Sequence, residues 1–287
     1  MNTDTKKVGK VNVSHPDKIL FSKSKLTKLD LIMYYKKVSK YMLKFLDKRL
    51  LTELRCHDKS KKFCFYKKHP ENDEVVEIFY VSKPKISENA YFFVKNQTQL
   101  VNQVQLGTIE FHIWGSKTDT LNKPDIMVFD FDPDEKLSLD KLRQEVKHLK
   151  QVLDQLSLKS FLKTSGGKGY HVCVPFSPSV SWQKFSNFSK KVATLMEQNF
   201  PSSCTTTISK KDRKGKIFID YLRNKKGATC VCPYSVRARD EATISFPISW
   251  EQLDKIAPNQ ITISNLTDEL LKQDAWKNFF KVKQKLV

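Results

Sequence analysis

Asp130 and Asp132 close the segment Asp125-Ile-Met-Val-Phe-Asp-Phe-Asp132. In a β-strand, residues i and i+2 share a face with Cα atoms roughly 6–7 Å apart. The two carboxylates therefore project together from the end of an apolar strand. Two like charges beside a core are costly unless something neutralises them. A divalent cation does this, and carboxylates are natural ligands for magnesium or manganese. The run Asp132-Pro-Asp-Glu135 also reads as the start of a turn, so this pair alone leaves metal and turn both open. Asp220 ends a second apolar strand, Ile217-Phe-Ile-Asp-Tyr221. Two strands of one sheet can bring all three acids to one point. Three carboxylates can hold two metals about 3.5–4 Å apart, the arrangement that in-line displacement at phosphorus needs. The competing reading of Asp220 is a surface acid beside the turn Arg223-Asn-Lys-Lys-Gly227.

Thr164-Ser-Gly-Gly-Lys-Gly-Tyr-His171 links two further strands. Glycines let backbone N–H groups approach phosphate oxygens, Ser165 carries a hydroxyl and Lys168 a charge. The spacing is not that of a Walker loop, and hairpins use glycine routinely. His171 alternates with Tyr170 and Val172. Such a histidine is more often structural than catalytic.

The elements that must position these groups follow from periodicity. Thr27 caps a helix with Asp30 three residues on, followed by Leu31, Ile32, Tyr35, Val38, Met42, Leu43 and Leu46 at helical spacing. Phe63–Tyr66, Val75–Val81, Ala90–Val94 and Thr108–Trp114 read as strands, with room for a helix around Gln97–Val104. Ile126–Asp132 is a strand. A helix capped by Ser138 runs to about Ser157. Strands Ser160–Thr164 and Tyr170–Pro175 precede a helix from Ser181 to about Asn199. Strands at Thr205–Ile208, Ile217–Tyr221 and Ala228–Cys232 follow, then helices around Trp250–Ile256 and Asp268–Lys283. Residues 1–10 read as a flexible tail. The rest reads as one domain, with an N-terminal lobe over about 11–115, a metal-binding core over about 116–250 and C-terminal helices over about 250–287.

Hydrophobic residues make up 39% of the 287, enough for a folded core and against disorder. The formal charge of +20, from 51 basic and 31 acidic residues, favours a polyanionic partner, nucleic acid by default. A lysine-rich composition alone would also give such a charge. No run reaches the ~18 apolar residues of a membrane helix, and Met1–Lys10 has no apolar signal core. A cytosolic location is expected, with no membrane partner. Cys56, Cys64, Cys173, Cys204, Cys230 and Cys232 lack zinc spacing and are expected as reduced thiols.

Taken together, these residues resemble the polymerase domain of bacterial DNA ligase D, within the archaeo-eukaryotic primase superfamily. The resemblance covers about Val11–Trp250. It rests on His15-Pro-Asp-Lys-Ile-Leu-Phe21, Leu26-Thr-Lys-Leu-Asp-Leu-Ile-Met-Tyr-Tyr35, Ile109-Glu-Phe-His-Ile-Trp114, Val128-Phe-Asp-Phe-Asp-Pro133, Lys163-Thr-Ser-Gly-Gly-Lys-Gly-Tyr-His171, Gly215-Lys-Ile-Phe-Ile-Asp-Tyr221 and Pro233-Tyr-Ser-Val-Arg-Ala-Arg239. It implies an α+β primase-polymerase core with mixed and antiparallel sheets flanked by helices. Asp130, Asp132 and Asp220 match the family's catalytic metal ligands, for two Mn2+ or Mg2+ ions. His112 matches a residue beside the sugar of the incoming nucleotide. Ser165, Lys168, His171 and Arg237 match groups that grip the triphosphate. Lys18 and Lys28 match a pocket for the 5′-phosphate across a gap or break, and Phe65 and Tyr66 a pair that stacks on the template. Tyr66 stands where phenylalanine is common, and Leu54 where the family often has a basic residue, so one phosphate contact is in doubt. The implied activity is addition of nucleotides, preferably ribonucleotides, from NTP or dNTP substrates to DNA ends in non-homologous end joining. The implied partners are gapped or broken DNA, the Ku protein and a DNA ligase, at the bacterial nucleoid.

Two other readings compete. Val128-Phe-Asp-Phe-Asp132 is similar to the first motif of haloacid-dehalogenase phosphatases, but Pro133-Asp134 follows where Gly-Thr is usual. A single-strand-binding module would explain the charge, Phe65 and Tyr66. It leaves three strand-end acids unexplained.

Overall fold

Ile126, Met127, Val128 and Phe129 are all buried, so successive side chains are covered on both faces of their strand. That marks a strand inside a sheet with both faces packed. The computed structural model describes residues 5–56, 64–71 and 74–286. The chain divides into two compact units. The first comprises Met1–Ile113, Val231–Ser245 and Thr262–Lys272, and the second Trp114–Cys230, Phe246–Ile261 and Gln273–Val287. The sequence reading expected a single run of lobe, core and C-terminal helices. Instead, two later segments return to the first unit.

Among its described residues, the second unit is built on a sheet ordered β13-β14-β10-β12-β11-β16. The strands are β10 (Ile126–Pro133), β11 (Phe161–Thr164), β12 (Tyr170–Pro175), β13 (Cys204–Thr205), β14 (Ile217–Asp220) and β16 (Pro247–Ile248). All pairings are antiparallel except β13 with β14. Helices α3 (Leu139–Gln155) and α4 (Trp182–Asn199) pack on β10 and on each other. Ser138 and Ser181 cap them, each side chain accepting an N–H from the first turn. Their inward stripes, Leu142, Val146, Leu149 and Leu153 on α3 and Phe185, Val192 and Met196 on α4, are buried.

The first unit starts with a hairpin of β1 (Thr5–Val8) and β2 (Val11–Ser14). This corrects the flexible tail expected for residues 1–10. Val8, Val11 and Val13 are buried, and Gly9 turns the chain at φ +61°. Met1–Asp4 lie outside the described residues. β3 (Ile19–Phe21) and β4 (Leu26–Thr27) lead into α1 (Lys28–Leu46). Its capping box is formed by Thr27 and Asp30. β5 (Leu51–Cys56) pairs antiparallel with β6 (Cys64–Lys67) on one side and β9 (Thr108–Trp114) on the other. β7 (Glu77–Tyr80) and β8 (Ala90–Phe93) form a hairpin, followed by α2 (Gln97–Gln105). Phe63, placed on a strand from sequence, lies outside the described residues.

Four further expectations need correction. Cys56 and Cys64 are directly paired across β5 and β6 with Cα atoms 4.2 Å apart, and they form a disulfide rather than two thiols. Cys173, Cys204, Cys230 and Cys232 are free. The strand expected at Thr205–Ile208 is confined to Cys204–Thr205, after which Arg213 binds the carbonyls of Thr207 and Ile208. The helix expected over Asp268–Lys283 is the single short α5 (Asp268–Gln273). Beyond it, Trp276 and Phe279 stack at 4.7 Å and bury against Phe161 by side-chain packing rather than by continued helix. Trp250–Ile256 likewise begins as one 3-10 turn over Trp250–Gln252.

Candidate active site

Register lines up the chemistry of the second unit. Lys163 on β11 faces His171 on β12, His171 faces Asp130 on β10, and Asp130 faces Asp220 on β14. Directly opposed residues of antiparallel strands share a face. Four titratable side chains therefore form one row across the sheet, with Asp132 two positions on along the same face of β10.

The row is wired through its side chains. His171 Nε2 lies 3.3 Å from Asp130 Oδ1, and its Nδ1 lies 2.9 Å from Lys163 Nζ and 3.2 Å from Cys230 Sγ. Burial and Lys163 disfavour a protonated His171 ring, but Asp130 and Cys230 outweigh them and raise its pKa. Burial opposes ionisation of Asp130, yet His171, Arg223 and Lys163 hold its pKa down at about 2. Asp220 and Asp132 are raised instead, chiefly by burial, with repulsion from Asp130 adding to it. Negative charge on three neighbouring, partly buried acids is favoured by a nearby cation.

Guanidinium groups stand in that role. Arg223 Nε is 3.1 Å from Asp220 Oδ2 and 3.9 Å from Asp130 Oδ2. Arg213 lies 3.5 Å from Asp132 Oδ2, with its guanidinium over the Phe218 ring at 3.6 Å. Among the described residues, no three His, Cys, Asp or Glu side chains converge as a metal-ligating group. The carboxylates point at arginines and His171 instead. The donor set still fits a hard divalent ion: three acid side chains share one sheet face, and cationic side chains hold them as counter-charges.

Sequence reasoning missed what fixes the turn after β14. Asn224 Oδ1 accepts the N–H of Val128 at 2.8 Å, and its Nδ2 donates to the Val128 carbonyl at 2.8 Å. Its amide extends the ladder beyond the last residue of β14 and anchors the turn that carries Asp220 and Arg223. Leu222 N–H also donates to Asp220 Oδ1 at 2.8 Å.

The glycine turn is tied into the protein by its own hydrogen bonds. Ser165 Oγ accepts N–H bonds from Gly167 at 3.0 Å and Gly169 at 3.2 Å, and Gly166 N–H donates to Pro258. These three amides are satisfied inside the protein, which leaves the Ser165 and Lys168 side chains as the groups of the turn that sequence singled out. A Cβ on Gly169 would stand 1.6 Å from the carbonyl oxygen of Phe131, so only glycine lets the turn lie against β10 between the two acids. Lys168 is salt-bridged to Glu135.

The first unit carries the other residues singled out from sequence. Tyr66, Leu54 and Glu110 are directly opposed across β6, β5 and β9, as are Thr52 and His112, so all share one face. Glu110 gathers this face: its Oε2 takes His112 Nε2 at 2.9 Å and Arg237 Nε at 3.0 Å, and its Oε1 takes the Ala238 N–H at 2.8 Å. Although burial works against it, these partners hold the Glu110 pKa down at about 2. Sequence reasoning named His112 and Arg237 but not the glutamate that orients both. Leu54 sits between Tyr66 and Glu110 and offers no donor. Phe65 and Tyr66 are exposed on β6, and Tyr66 meets His112 edge-on with ring centroids 5.8 Å apart. Lys18 and Lys28 are joined where Lys28 N–H donates to the Lys18 carbonyl at 2.8 Å. Burial, with repulsion from Lys18, pushes the Lys28 ammonium down to about 8.

Residues 27–276 match the family described as LigD, primase-polymerase domain. The multifunctional non-homologous end joining protein LigD of Pseudomonas aeruginosa is 31% identical over 282 residues, 96% of this chain and 34% of that protein. The bifunctional non-homologous end joining protein LigD of Bacillus subtilis is 30% identical over 268 residues, 92% of this chain and 43% of that protein. The chain thus spans about a third to two fifths of the length of these curated relatives. The polymerase domain from Mycobacterium tuberculosis ligase D, solved in complex with DNA, matches with a TM-score of 0.82 at 26% identity, covering 93% of this chain and 95% of that one.

Proposed function

The chain belongs to the LigD primase-polymerase family, and from that membership we propose that it is a nucleotidyltransferase that extends DNA 3′ ends and fills short gaps in non-homologous end joining. The observation that carries this reading is the pairing of Asp130 with Asp220 at one register step, with Asp132 on the same strand face. A single-strand-binding module has no use for three acids among cationic side chains, because uncompensated carboxylates repel phosphate.

Divalent metal use comes with the family, and the finer proposal is two ions, Mn2+ or Mg2+, held by Asp130, Asp132 and Asp220. Bound there, such ions would steady charge on the attacking and leaving oxygens. The protein's own residues supply the rest. His171 and Lys163 keep Asp130 ionised and oriented, and Asn224 fixes the turn that presents Asp220. We assign Ser165, Lys168, His171 and Arg237 to the triphosphate, with His171 also positioning Asp130. His112, oriented by Glu110, is assigned to the ribose hydroxyl, which gives a preference for ribonucleotides. Lys18 and Lys28 are assigned to the 5′-phosphate across the gap, since two crowded ammonium groups favour a dianion. Phe65 and Tyr66 are assigned to stacking on template bases. Ku and a DNA ligase are the proposed partners.

The test is extension of a labelled primer on gapped DNA, with each NTP and dNTP, in Mn2+ or Mg2+. Template-directed addition is expected, favouring a 5′-phosphate over a 5′-hydroxyl. That preference should disappear in a Lys18→Ala, Lys28→Ala double variant and shrink with salt. No addition under any combination would overturn the reading.

A further inference from the structure

Asp130 and Asp220 face each other in register, yet their side chains do not form a metal-ligating group with any third acid, histidine or cysteine among the described residues. The local contacts explain why. Both oxygens of Asp220 are engaged, Oδ1 by the Leu222 N–H and Oδ2 by Arg223 Nε at 3.1 Å. The same Nε lies 3.9 Å from Asp130 Oδ2, so one guanidinium serves both carboxylates. We infer that Arg223 is the resident counter-cation of the Asp130–Asp220 pair and competes with divalent metal for it.

Three features suit Arg223 to that task. It follows Asp220 by one turn, so no chain movement is needed to reach the acid. The turn's backbone is tied to β10 through Asn224 and Val128, so the side chain can leave without dragging Asp220 out of register. The Arg223 side chain is 46% exposed, against 11% for Asp220 and 20% for Asp130. A half-exposed cation can swing into water at small cost, whereas the acids it leaves behind stay confined and must take another cation. Arg223 is then a positioning residue: it bridges the two acids and offsets their charge while no metal is bound, and yields to the ion. This inference rests on the reading that Asp130 and Asp220 hold metal.

The experiment titrates Mn2+ alone into the intact chain and follows the free aquo ion by electron paramagnetic resonance, with thermal melting in parallel. Arg223→Gln is expected to bind Mn2+ about three- to tenfold more tightly than wild type, the range for removing a half-exposed guanidinium shared by two carboxylates. Its metal-free melting temperature should fall, and its rise on adding Mn2+ should exceed that of wild type. Arg223→Lys retains the charge and should return affinity to within about twofold of wild type, since the competition is chiefly charge. Lys184→Gln on the exposed face of α4 controls for net charge and should leave affinity unchanged. Equal or weaker Mn2+ binding by Arg223→Gln would overturn the inference. Asp220→Asn separates the two claims. If it abolishes Mn2+ binding while Arg223→Gln changes nothing, the counter-cation role alone fails. If Asp220→Asn binds Mn2+ as wild type does, the metal-site reading fails with it.

Discussion

Replacing Asn224 by alanine should cost more than any surface-turn substitution. Asn224 is 1% exposed. Its amide pairs with both the N–H and the carbonyl of Val128 at 2.8 Å and with the Tyr221 carbonyl at 2.9 Å. Val128 lies deep in the sheet, on the side of β10 that β14 no longer covers, so alanine removes these partners from two buried backbone groups. Each such loss costs about 1–3 kcal/mol, giving roughly 2–6 kcal/mol together. At about 2–4 °C per kcal/mol for a chain of this class, melting should fall by about 5–20 °C. The freed turn carries Asp220, so nucleotide addition should fall by far more than DNA binding. Asn224→Asp should not rescue, because its carboxylate can accept the Val128 N–H but repels the Val128 carbonyl. Circular-dichroism melting and amide exchange at Val128 measure this directly. An alanine variant that melts within about 1 °C of wild type, with the Val128 amide still protected, would refute the reasoning.

For His112→Ala, comparison of kcat/KM for ATP and dATP should show a selective loss of ribonucleotide use. One hydrogen bond of about 0.5–1.5 kcal/mol corresponds to roughly two- to tenfold, and an equal loss for both nucleotides would mean that the histidine only supports its neighbours. Glu110 predicts an acid limit to stability. Its folded pKa of about 2 lies below the ordinary 4.5, so its stabilisation is fully present above about pH 4.5 and is lost as pH falls toward 2, amounting to about 3 kcal/mol in all. Urea unfolding between pH 6 and 2.5 should show that slope in wild type and a shallower one in Glu110→Gln; identical slopes would contradict it.

Much of the second unit was legible in the sequence because its signals are local. The apolar runs of Ile126–Asp132 and Ile217–Asp220 put the acids at strand ends, and Ser138 and Ser181 announced α3 and α4. The row Lys163–His171–Asp130–Asp220 was not legible, because it depends on register between four strands. Arg223 and Asn224 were hidden in a run of polar residues that reads as an exposed turn, although Asn224 is buried. β5 carries Glu53 and Arg55, an ion pair at 3.2 Å that is nearly inaccessible to solvent, so its sequence lacks clean alternation. The Cys56–Cys64 bridge depends on cross-strand pairing, and β1 was masked by its lysines. At the C-terminus, Leu270, Leu271, Trp276 and Phe279 mimic one continuous helical spacing, but α5 stops at Gln273 and tertiary packing anchors the aromatics beyond it, with only a 3-10 turn at Phe279–Lys281.

The central claim is that Asp130, Asp132 and Asp220 form the chemical centre while basic side chains bind the DNA. It is tested most directly by measuring primer extension and DNA affinity side by side in wild type, Asp130→Ala and Asp220→Ala. Catalysis depends on metal positioning, and binding on lysines and arginines. Both variants should lose nucleotide addition while holding gapped DNA at least as tightly as wild type. Full extension activity in either variant would contradict the account.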